Sequence, residues 1–206
     1  VSKVMPNHAS RSGTVAACEK SLKLLGTDRL DCYLLHWRGR HPLAQTIAGL
    51  EDLAAAGKIR SWGVSNFDAD DRDEALAIAG PGRIACNQVL YHLEERGIEH
   101  RVIPWCEKNK VAVVGYSPFG HDGFPQARTA GGKVLAEVAS RHGATPRKVA
   151  LAFLLRRPSL FTIPKAAAVA HVEENAGAGD LSLSAGDIAA IDKAFPVGRA
   201  RPLAMI

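Results

Sequence analysis

The 206-residue sequence lacks several features that would indicate particular classes of protein. Its longest apolar runs, such as 111–114 and 149–155, are far shorter than the roughly 20 residues that a membrane-spanning helix needs. No stretch rich in proline and serine indicates a linker between folded domains. With 47% hydrophobic and 23% charged residues, the composition is that of a soluble globular domain. We therefore expect one domain over residues 1–206, in the cytoplasm and with no membrane partner.

Cysteine, histidine and basic residues are present without any concentrated pattern. The four cysteines, Cys18, Cys32, Cys86 and Cys106, show no CxxC or zinc-finger spacing, and we expect buried, reduced thiols. The histidines show no spacing typical of metal ligands, so the sequence predicts no metal site. The net charge of +5 is spread along the chain without a dense basic run, which argues against a nucleic-acid partner.

Strand-like and helix-like segments alternate along the chain with a period of about 30 residues. An apolar run that ends at His36 is typical of a strand buried on both faces of a parallel sheet. Six strands are predicted in this way, near Lys3 and at 32–35, 59–64, 84–90, 111–116 and 161–163. Residues typical of helix ends support the helices between them, namely Gly26, Pro42, Gly57, Asp68, Thr145 with Pro146, and Ser184 with Asp187. A further helix is predicted near Arg101 to Asn109.

Polar residues follow the predicted strands directly. Because the carboxyl ends of parallel strands meet at one edge of a sheet, this pattern is typical of the active-site end of an α/β barrel. A doubly wound open sheet is the competing fold, but the G-x-G-x-x-G turn that most of its nucleotide-binding members carry is missing. The predicted fold class is therefore α/β, a TIM-type (β/α)8 barrel with about six of its eight βα units present. Since Val1 to Val4 resemble the tail of a strand, we expect the barrel to lack its first two strands here.

Several motifs resemble the aldo-keto reductase superfamily and occur in that family's order. They are Leu30–Trp37 (LDCYLLHW), Gly57–Phe67 (GKIRSWGVSNF), Asn87–Val89, Gly115–Pro118, Ile163–Lys165 and Glu173–Asn175. The resemblance extends from Lys3 to about Phe195. It implies reduction of a small aldehyde or ketone by hydride from a nicotinamide cofactor, NADPH or alternatively NADH.

The resemblance also implies roles for residues near the predicted catalytic centre. Lys3 matches the family's Lys, whose ammonium lowers the pKa of a tyrosine that donates a proton. His36 matches the His that hydrogen-bonds the substrate carbonyl. Trp37 would form a wall of the substrate pocket, with ordinary packing as the alternative.

Two further groups of residues are implied to bind the cofactor. Ser65, Asn66 and Gln88 would hold the carboxamide, although Ser65 and Asn66 could also cap the next helix. The remaining positions, from the stacking ring to the adenine site, are Tyr116, Ser117, Pro118, Phe119, Gly120, Lys165, His171, Glu174 and Asn175.

The cofactor residues depart from the family's pattern near Lys165, which would meet the adenosine 2′-phosphate. The hydroxyl residue that usually follows this Lys is replaced by Ala166, and His171 stands at the position of a phosphate-binding Arg. A neutral imidazole binds phosphate less well than a guanidinium does. NADPH remains the predicted cofactor because Lys165 is retained.

The family's tyrosine and aspartate come from a segment before the Lys strand, and the 206 residues contain no counterpart of them. We therefore expect either a reductase whose chain is longer than these residues, or a noncatalytic nucleotide-binding or regulatory protein. A complete barrel is expected to be monomeric. A truncated sheet would expose strand edges and favour self-association.

Overall fold

The computed structural model describes residues 1–206 and contains six strands and eight α-helices. The strands are β1 (Ser2–Val4), β2 (Leu30–Leu35), β3 (Ile59–Ser65), β4 (Ile84–Leu90), β5 (Ala112–Tyr116) and β6 (Leu160–Thr162). The helices are α1 (Arg11–Leu25), α2 (Leu43–Ala55), α3 (Ala69–Ala79), α4 (Ile98–Lys108), α5 (Ala130–Arg141), α6 (Pro146–Leu154), α7 (Val169–Ala176) and α8 (Ala185–Ala194). Pro6–His8 and Gly177–Asp180 form short 3-10 helices. None of the helices is both long and apolar enough to cross a membrane.

The six strands form one sheet in chain order, β1-β2-β3-β4-β5-β6. The first four pair in parallel, with Val4 opposite Leu35, Leu35 opposite Val64, and Ser65 opposite Gln88. This register brings the carboxyl ends of β1 to β4 to the same edge. The predicted α/β class with alternating strands and helices is confirmed.

Gly63 in the middle of β3 has a structural reason to be glycine. A Cβ at this position would lie 2.4 Å from the backbone oxygen of Cys86, closer than any side chain allows. The pairing of β3 with β4 also shifts its register between Trp62 and Val64. The SWGVSN motif therefore contains a glycine that lets β4 approach β3 closely just before the strand ends.

The chain forms two compact units, each with its own buried residues. The first unit comprises Val1–Val89 and Arg101–Val113, and the second comprises Leu90–His100 and Val114–Ile206. Apolar side chains buried in the first unit include Val4, Leu22, Leu34, Ile47, Leu50 and Trp62. Those buried in the second unit include Leu135, Val138, Val149, Phe153, Leu160 and Ile191. Burial of these side chains supplies most of the favourable free energy of folding.

The helix ends follow the local signals in the sequence. Gly26 ends α1 in the left-handed conformation with φ 65°. Asp68 and Thr145 each accept a hydrogen bond from a backbone N–H in the first turn of α3 and α6. Ser184 and Asp187 form a reciprocal capping box at the start of α8. These predicted ends are confirmed.

Three local features differ from the prediction. Helix α7 is not predicted, because it has no side-chain cap and buries no residue, so no amphipathic pattern announces it. Helix α4 begins at Ile98, before the predicted start near Arg101, and continues through Pro104. Cys32 is partly exposed rather than buried, since its neighbour on β3 is the small residue Ser61. All four cysteines are free thiols.

Candidate active site

Lys3 and His36 lie at the ends of adjacent strands in the first unit. Lys3 is opposite Leu34 in the register of β1 with β2. The His36 N–H donates to the Val4 carbonyl at 3.0 Å, which continues the strand pairing one residue beyond β2. The backbone of His36 is therefore held by the sheet itself, and its side chain projects from the edge.

The charges of Lys3 and His36 influence each other. Partial burial lowers the pKa of Lys3 below its usual value, and the Cys86 thiol opposes that effect. Burial also lowers the pKa of His36, and the positive charge of Lys3 lowers it further. Both shifts favour the neutral forms of these two side chains.

Met5 and Trp37 surround the His36 ring. The Nδ1 atom of His36 lies 3.3 Å from the sulfur of Met5. The Trp37 ring centroid lies 4.4 Å from that of His36, with the two planes tilted by 52°. Because Trp37 is only partly buried, it presents part of its ring to solvent beside His36. The role of Trp37 as a pocket wall stays a prediction.

Asn66 is held at the edge of the sheet by hydrogen bonds in both its backbone and its side chain. Its amide nitrogen Nδ2 donates to the His36 carbonyl and to Ser65 Oγ, each at 3.2 Å. Its backbone N–H donates to the Gln88 carbonyl at 2.8 Å. The backbone is in the left-handed region with φ 58°, which Asn tolerates better than most residues. These contacts orient the Asn66 amide relative to β2 and β4.

Ser65 and Gln88 are both buried, with exposed fractions of 1% and 5%. The Ser65 hydroxyl donates to the Gln88 carbonyl at 2.8 Å, so its proton is used within the protein. The alternative role of capping the next helix is not observed, because Asp68 is the N-cap of α3. Within the first unit, Lys3, His36, Trp37, Ser65, Asn66 and Gln88 thus lie in or directly after the neighbouring strands β1 to β4.

Tyr116 ends β5 in the second unit. The Tyr91 N–H donates to the Tyr116 carbonyl, and the Ile163 N–H donates to the Gly115 carbonyl at 3.1 Å. Burial raises the pKa of the Tyr116 phenol, an effect that a hydrogen bond from the Ile206 backbone partly offsets. The ring is therefore neutral at physiological pH, as a stacking surface requires.

A tight turn follows Tyr116. Ser117 has a φ of 51°, and the Gly120 N–H donates to the Ser117 carbonyl at 2.9 Å. Gly120 has a φ of 85°, a conformation that favours glycine. Pro118 is buried and Phe119 is partly exposed. The turn therefore directs the Phe119 side chain outward, and the buried Pro118 anchors the turn.

Phe119 also lines a pocket of the second unit. This pocket has a volume of about 230 Å³ and is lined by Phe119, Arg147, Lys165, His171, Glu174 and Asn175. Five of the six residues are among those predicted to bind the cofactor: Phe119 beside the pyrophosphate, and Lys165, His171, Glu174 and Asn175 at the adenosine end. The Thr145 hydroxyl, at the N-cap of α6, donates to Glu174 and so fixes its carboxylate. Lys165 and His171 are exposed and have no described carboxylate partner.

Arg147 is the pocket residue that sequence reasoning missed. It lies one residue after Pro146, in the first turn of α6, and its guanidinium carbon is 4.8 Å from the centroids of both Phe119 and Phe124. The two rings pack edge to face with centroids 5.9 Å apart. The Thr-Pro helix start gave the only available signal, namely that Arg147 would be near a helix N-terminus.

The chain belongs to the aldo/keto reductases. The model of the Aldo/keto reductase family matches residues 1–195. The resemblance seen in the motifs is therefore confirmed.

Two curated relatives match almost the whole chain. The chain is 42% identical over 201 residues to methylglyoxal reductase YeaE of Escherichia coli strain K12, a match that covers 98% of this chain and 71% of that protein. It is 34% identical over 191 residues to glyoxal reductase of Bacillus subtilis strain 168, with 93% of this chain and 66% of that protein covered. The chain thus spans about two thirds of the length of these relatives.

A solved structure agrees closely with the fold. The aldo-keto reductase of Klebsiella pneumoniae in complex with NADPH is 41% identical and superposes with a TM-score of 0.92, over 99% of this chain and 72% of that one. The predicted fold class, a (β/α)8 barrel of which this chain contains six strands, is confirmed.

Proposed function

We propose that this chain is part of an NADPH-dependent reductase of small aldehydes and ketones, and that 2-oxoaldehydes such as methylglyoxal and glyoxal are its substrate class. Membership of the aldo/keto reductases supports the reaction type. The names of the two relatives support the substrate class. NADPH in the Klebsiella pneumoniae complex supports the cofactor, with NADH as the alternative.

The single observation that carries the proposal is that Lys3 and His36 lie on adjacent strands, close enough for the charge of Lys3 to lower the pKa of His36. In the proposed reaction, the Lys3 ammonium stabilises the anionic form of a neighbouring tyrosine and lowers its pKa, so that the phenol can donate a proton near pH 7. Partial burial of Lys3 strengthens this effect because the charge is less screened by water. Lys3 is thus a tuning group rather than the proton donor.

His36 has the task of binding the substrate oxygen. The Met5 sulfur can only accept a hydrogen bond, so the contact at 3.3 Å favours a proton on Nδ1. Donation to a carbonyl from Nε2 requires the other tautomer of the neutral ring. Because thioether sulfur is a weak acceptor, this change costs little, and the lowered pKa of His36 keeps the ring neutral in both cases.

The described residues fit a nicotinamide dinucleotide. When bound, NADPH supplies the hydride that reduces the carbonyl carbon. The Asn66 and Gln88 amides at the strand edge match the donor and acceptor of a carboxamide. In the second unit, Lys165 and Arg147 match a phosphate, and Glu174 with Asn175 matches an adenine amino group. Trp37 would face the substrate.

The domain organisation is part of the proposal. We place residues 1–206 in a single barrel domain whose first two strands, with the tyrosine donor and its aspartate partner, lie in a segment outside these residues. A cytoplasmic location and a monomeric complete barrel belong to the same proposal. The experiments below therefore use the full-length protein.

The test measures turnover and binding separately. Full-length protein is incubated with NADPH and methylglyoxal, glyoxal or a simple ketone, and the decrease in absorbance of the reduced nicotinamide is followed. Binding of NADPH is measured in parallel by quenching of protein fluorescence. We expect both signals, and we expect His36→Leu to lose turnover by about 10²-fold or more while it retains cofactor binding.

Two other outcomes would point elsewhere. Binding without turnover across several carbonyl compounds would support the noncatalytic nucleotide-binding alternative. Turnover of simple ketones but not of 2-oxoaldehydes would retain the reductase and overturn the proposed substrate class.

A further inference from the structure

The pocket of the second unit contains a cation that the family motif does not account for. The motif assigns Lys165 to the cofactor phosphate and places His171 where an Arg is usual. The pocket adds Arg147, which belongs to α6 rather than to the segment around α7. Two cations from separate segments, Lys165 and Arg147, thus provide the positive side of this pocket.

Arg147 differs in its surroundings from four other arginines of the second unit. Arg96, Arg141, Arg156 and Arg201 each form an ion pair with a carboxylate. Arg147 is exposed, and no carboxylate lies within ion-pair distance of it. Its described contacts are the faces of Phe119 and Phe124, each at 4.8 Å. Its charge is therefore not neutralised by the protein.

The two aromatic rings restrict the guanidinium without using its N–H groups. Stacking fixes the plane of an Arg side chain, so less conformational entropy is lost when it binds a ligand. The fork of N–H donors in that plane can hold two oxygens of a phosphate at once. The N-terminal end of α6 adds a favourable dipole for an anion.

The one acidic residue in the pocket does not compete for Arg147. Glu174 accepts a hydrogen bond from the Thr145 hydroxyl, which holds its carboxylate at the N-cap of α6. No ion pair joins Glu174 to Arg147, Lys165 or His171. The pocket therefore combines two unpaired cations with an acceptor suited to a base amino group.

We propose that Arg147, stacked on Phe119 and Phe124, is a specificity-determining residue that binds the 2′-phosphate of the cofactor's adenosine together with Lys165. It supplies from α6 the guanidinium that His171 does not supply from α7. This inference rests on the proposed function, since it names a residue for the cofactor of that reaction. It predicts that preference for NADPH over NADH survives in this chain because of Arg147.

The test compares two nucleotide probes that differ only in the 2′-phosphate. Affinities of full-length wild type and Arg147→Gln for adenosine 2′,5′-bisphosphate and adenosine 5′-phosphate are measured by calorimetry. We expect Arg147→Gln to weaken the bisphosphate by about tenfold, because two charge-assisted hydrogen bonds are lost, and to leave the monophosphate nearly unchanged. Arg147→Lys keeps the charge without the fork of N–H donors. Its affinity for the bisphosphate should lie between those of the wild type and Arg147→Gln.

Arg199→Gln provides the matched control, since Arg199 is another exposed arginine of the second unit that does not line the pocket. An equal loss for both probes in Arg147→Gln would mean that the guanidinium contacts the base or supports the fold, and would overturn the inference. Unchanged affinity for the bisphosphate would overturn it too. Failure of the wild type to bind either NADPH or the bisphosphate would instead reject the proposed function.

Discussion

Asn66 and Arg147 represent two ways of holding a binding group. Asn66 is fixed by three hydrogen bonds to strand ends, and its neighbours Ser65 and Gln88 are buried. Arg147 is exposed on the first turn of a helix and is oriented only by two aromatic rings. The first arrangement depends on backbone pairing and tolerates little change. The second depends on exposed side chains, so its specificity can change without disturbing the sheet.

The largest expected effect comes from Lys3→Met in the first unit. Loss of the ammonium removes the charge that tunes the proton donor, and we expect kcat for methylglyoxal to fall by about 10²- to 10³-fold. Affinity for NADPH should change little, because Lys3 is not among the residues assigned to cofactor binding. Steady-state kinetics with fluorescence titration separates the two quantities.

Lys20→Met is the control for Lys3, because Lys20 is exposed on α1 and has no described partner. Equal losses of kcat in both variants would indicate a general effect of charge. Unchanged kcat in Lys3→Met would remove Lys3 from the proposed mechanism.

Glu99→Gln tests whether the second unit also contains a group that is held rigidly by hydrogen bonds. Glu99 accepts hydrogen bonds from Arg96 at 2.7 Å, Arg156 at 2.8 Å and the Tyr91 hydroxyl at 2.8 Å. Burial alone would raise its pKa, but these donors outweigh burial and lower the pKa to about 2. Removing the charge leaves Arg156 without its carboxylate partner and Arg96 with Asp192 alone, and we expect a loss of about 3 kcal/mol in the free energy of unfolding.

The pH dependence gives a second measurement for Glu99. Because its pKa in the folded protein lies below the ordinary value of 4.5, its stabilisation is complete above that pH and is lost as the pH falls toward 2. The free energy of unfolding, measured with urea at several pH values, should depend less steeply on pH over this window in Glu99→Gln than in the wild type. The exposed Glu137→Gln serves as control, and a loss of equal size there would contradict the argument.

Asn66→Ala should produce a smaller, mixed effect. It removes two side-chain hydrogen bonds and leaves Ala in a left-handed conformation, so we expect a loss of about 2 kcal/mol in stability. Binding of NADPH and NADH should weaken equally, since the nicotinamide end is common to both. Thermal unfolding and titration with each cofactor provide the measurements.

Asn109→Ala is the matched comparison for Asn66, because Asn109 makes one hydrogen bond, at 2.8 Å, to the Trp105 carbonyl. The free energy of unfolding of Asn109→Ala should fall by about 1 kcal/mol, and this variant should retain cofactor binding. A selective effect of Asn66→Ala on NADPH alone would argue against a role at the nicotinamide.

His171→Arg is expected to have the smallest effect, and this effect is an increase in affinity for NADPH. A guanidinium at this exposed position adds a permanent charge to the pocket, and NADPH should bind about fivefold more tightly with little change for NADH. Val172→Arg adds the same charge at an exposed residue outside the pocket. If both variants tighten NADPH equally, the gain reflects general electrostatic attraction rather than a contact.

Local residue patterns were sufficient to predict most elements of this fold. Ser184 with Asp187 defines the start of α8, and the apolar run before His36 defines β2, because caps and strand runs depend on neighbours in sequence. Helix α7 escaped prediction since it buries nothing and has no side-chain cap. The family motifs also predicted which side chains would follow each strand.

The sequence by itself determined the α/β class, the order of the strands and the family. Only the tertiary structure decided that Met5 lies against His36 and that Arg147 joins Lys165 in one pocket. It also decided that the Ser65 hydroxyl donates its hydrogen bond to the Gln88 carbonyl. These facts depend on strand register and on packing between distant segments, which the periodicity of a single segment cannot specify.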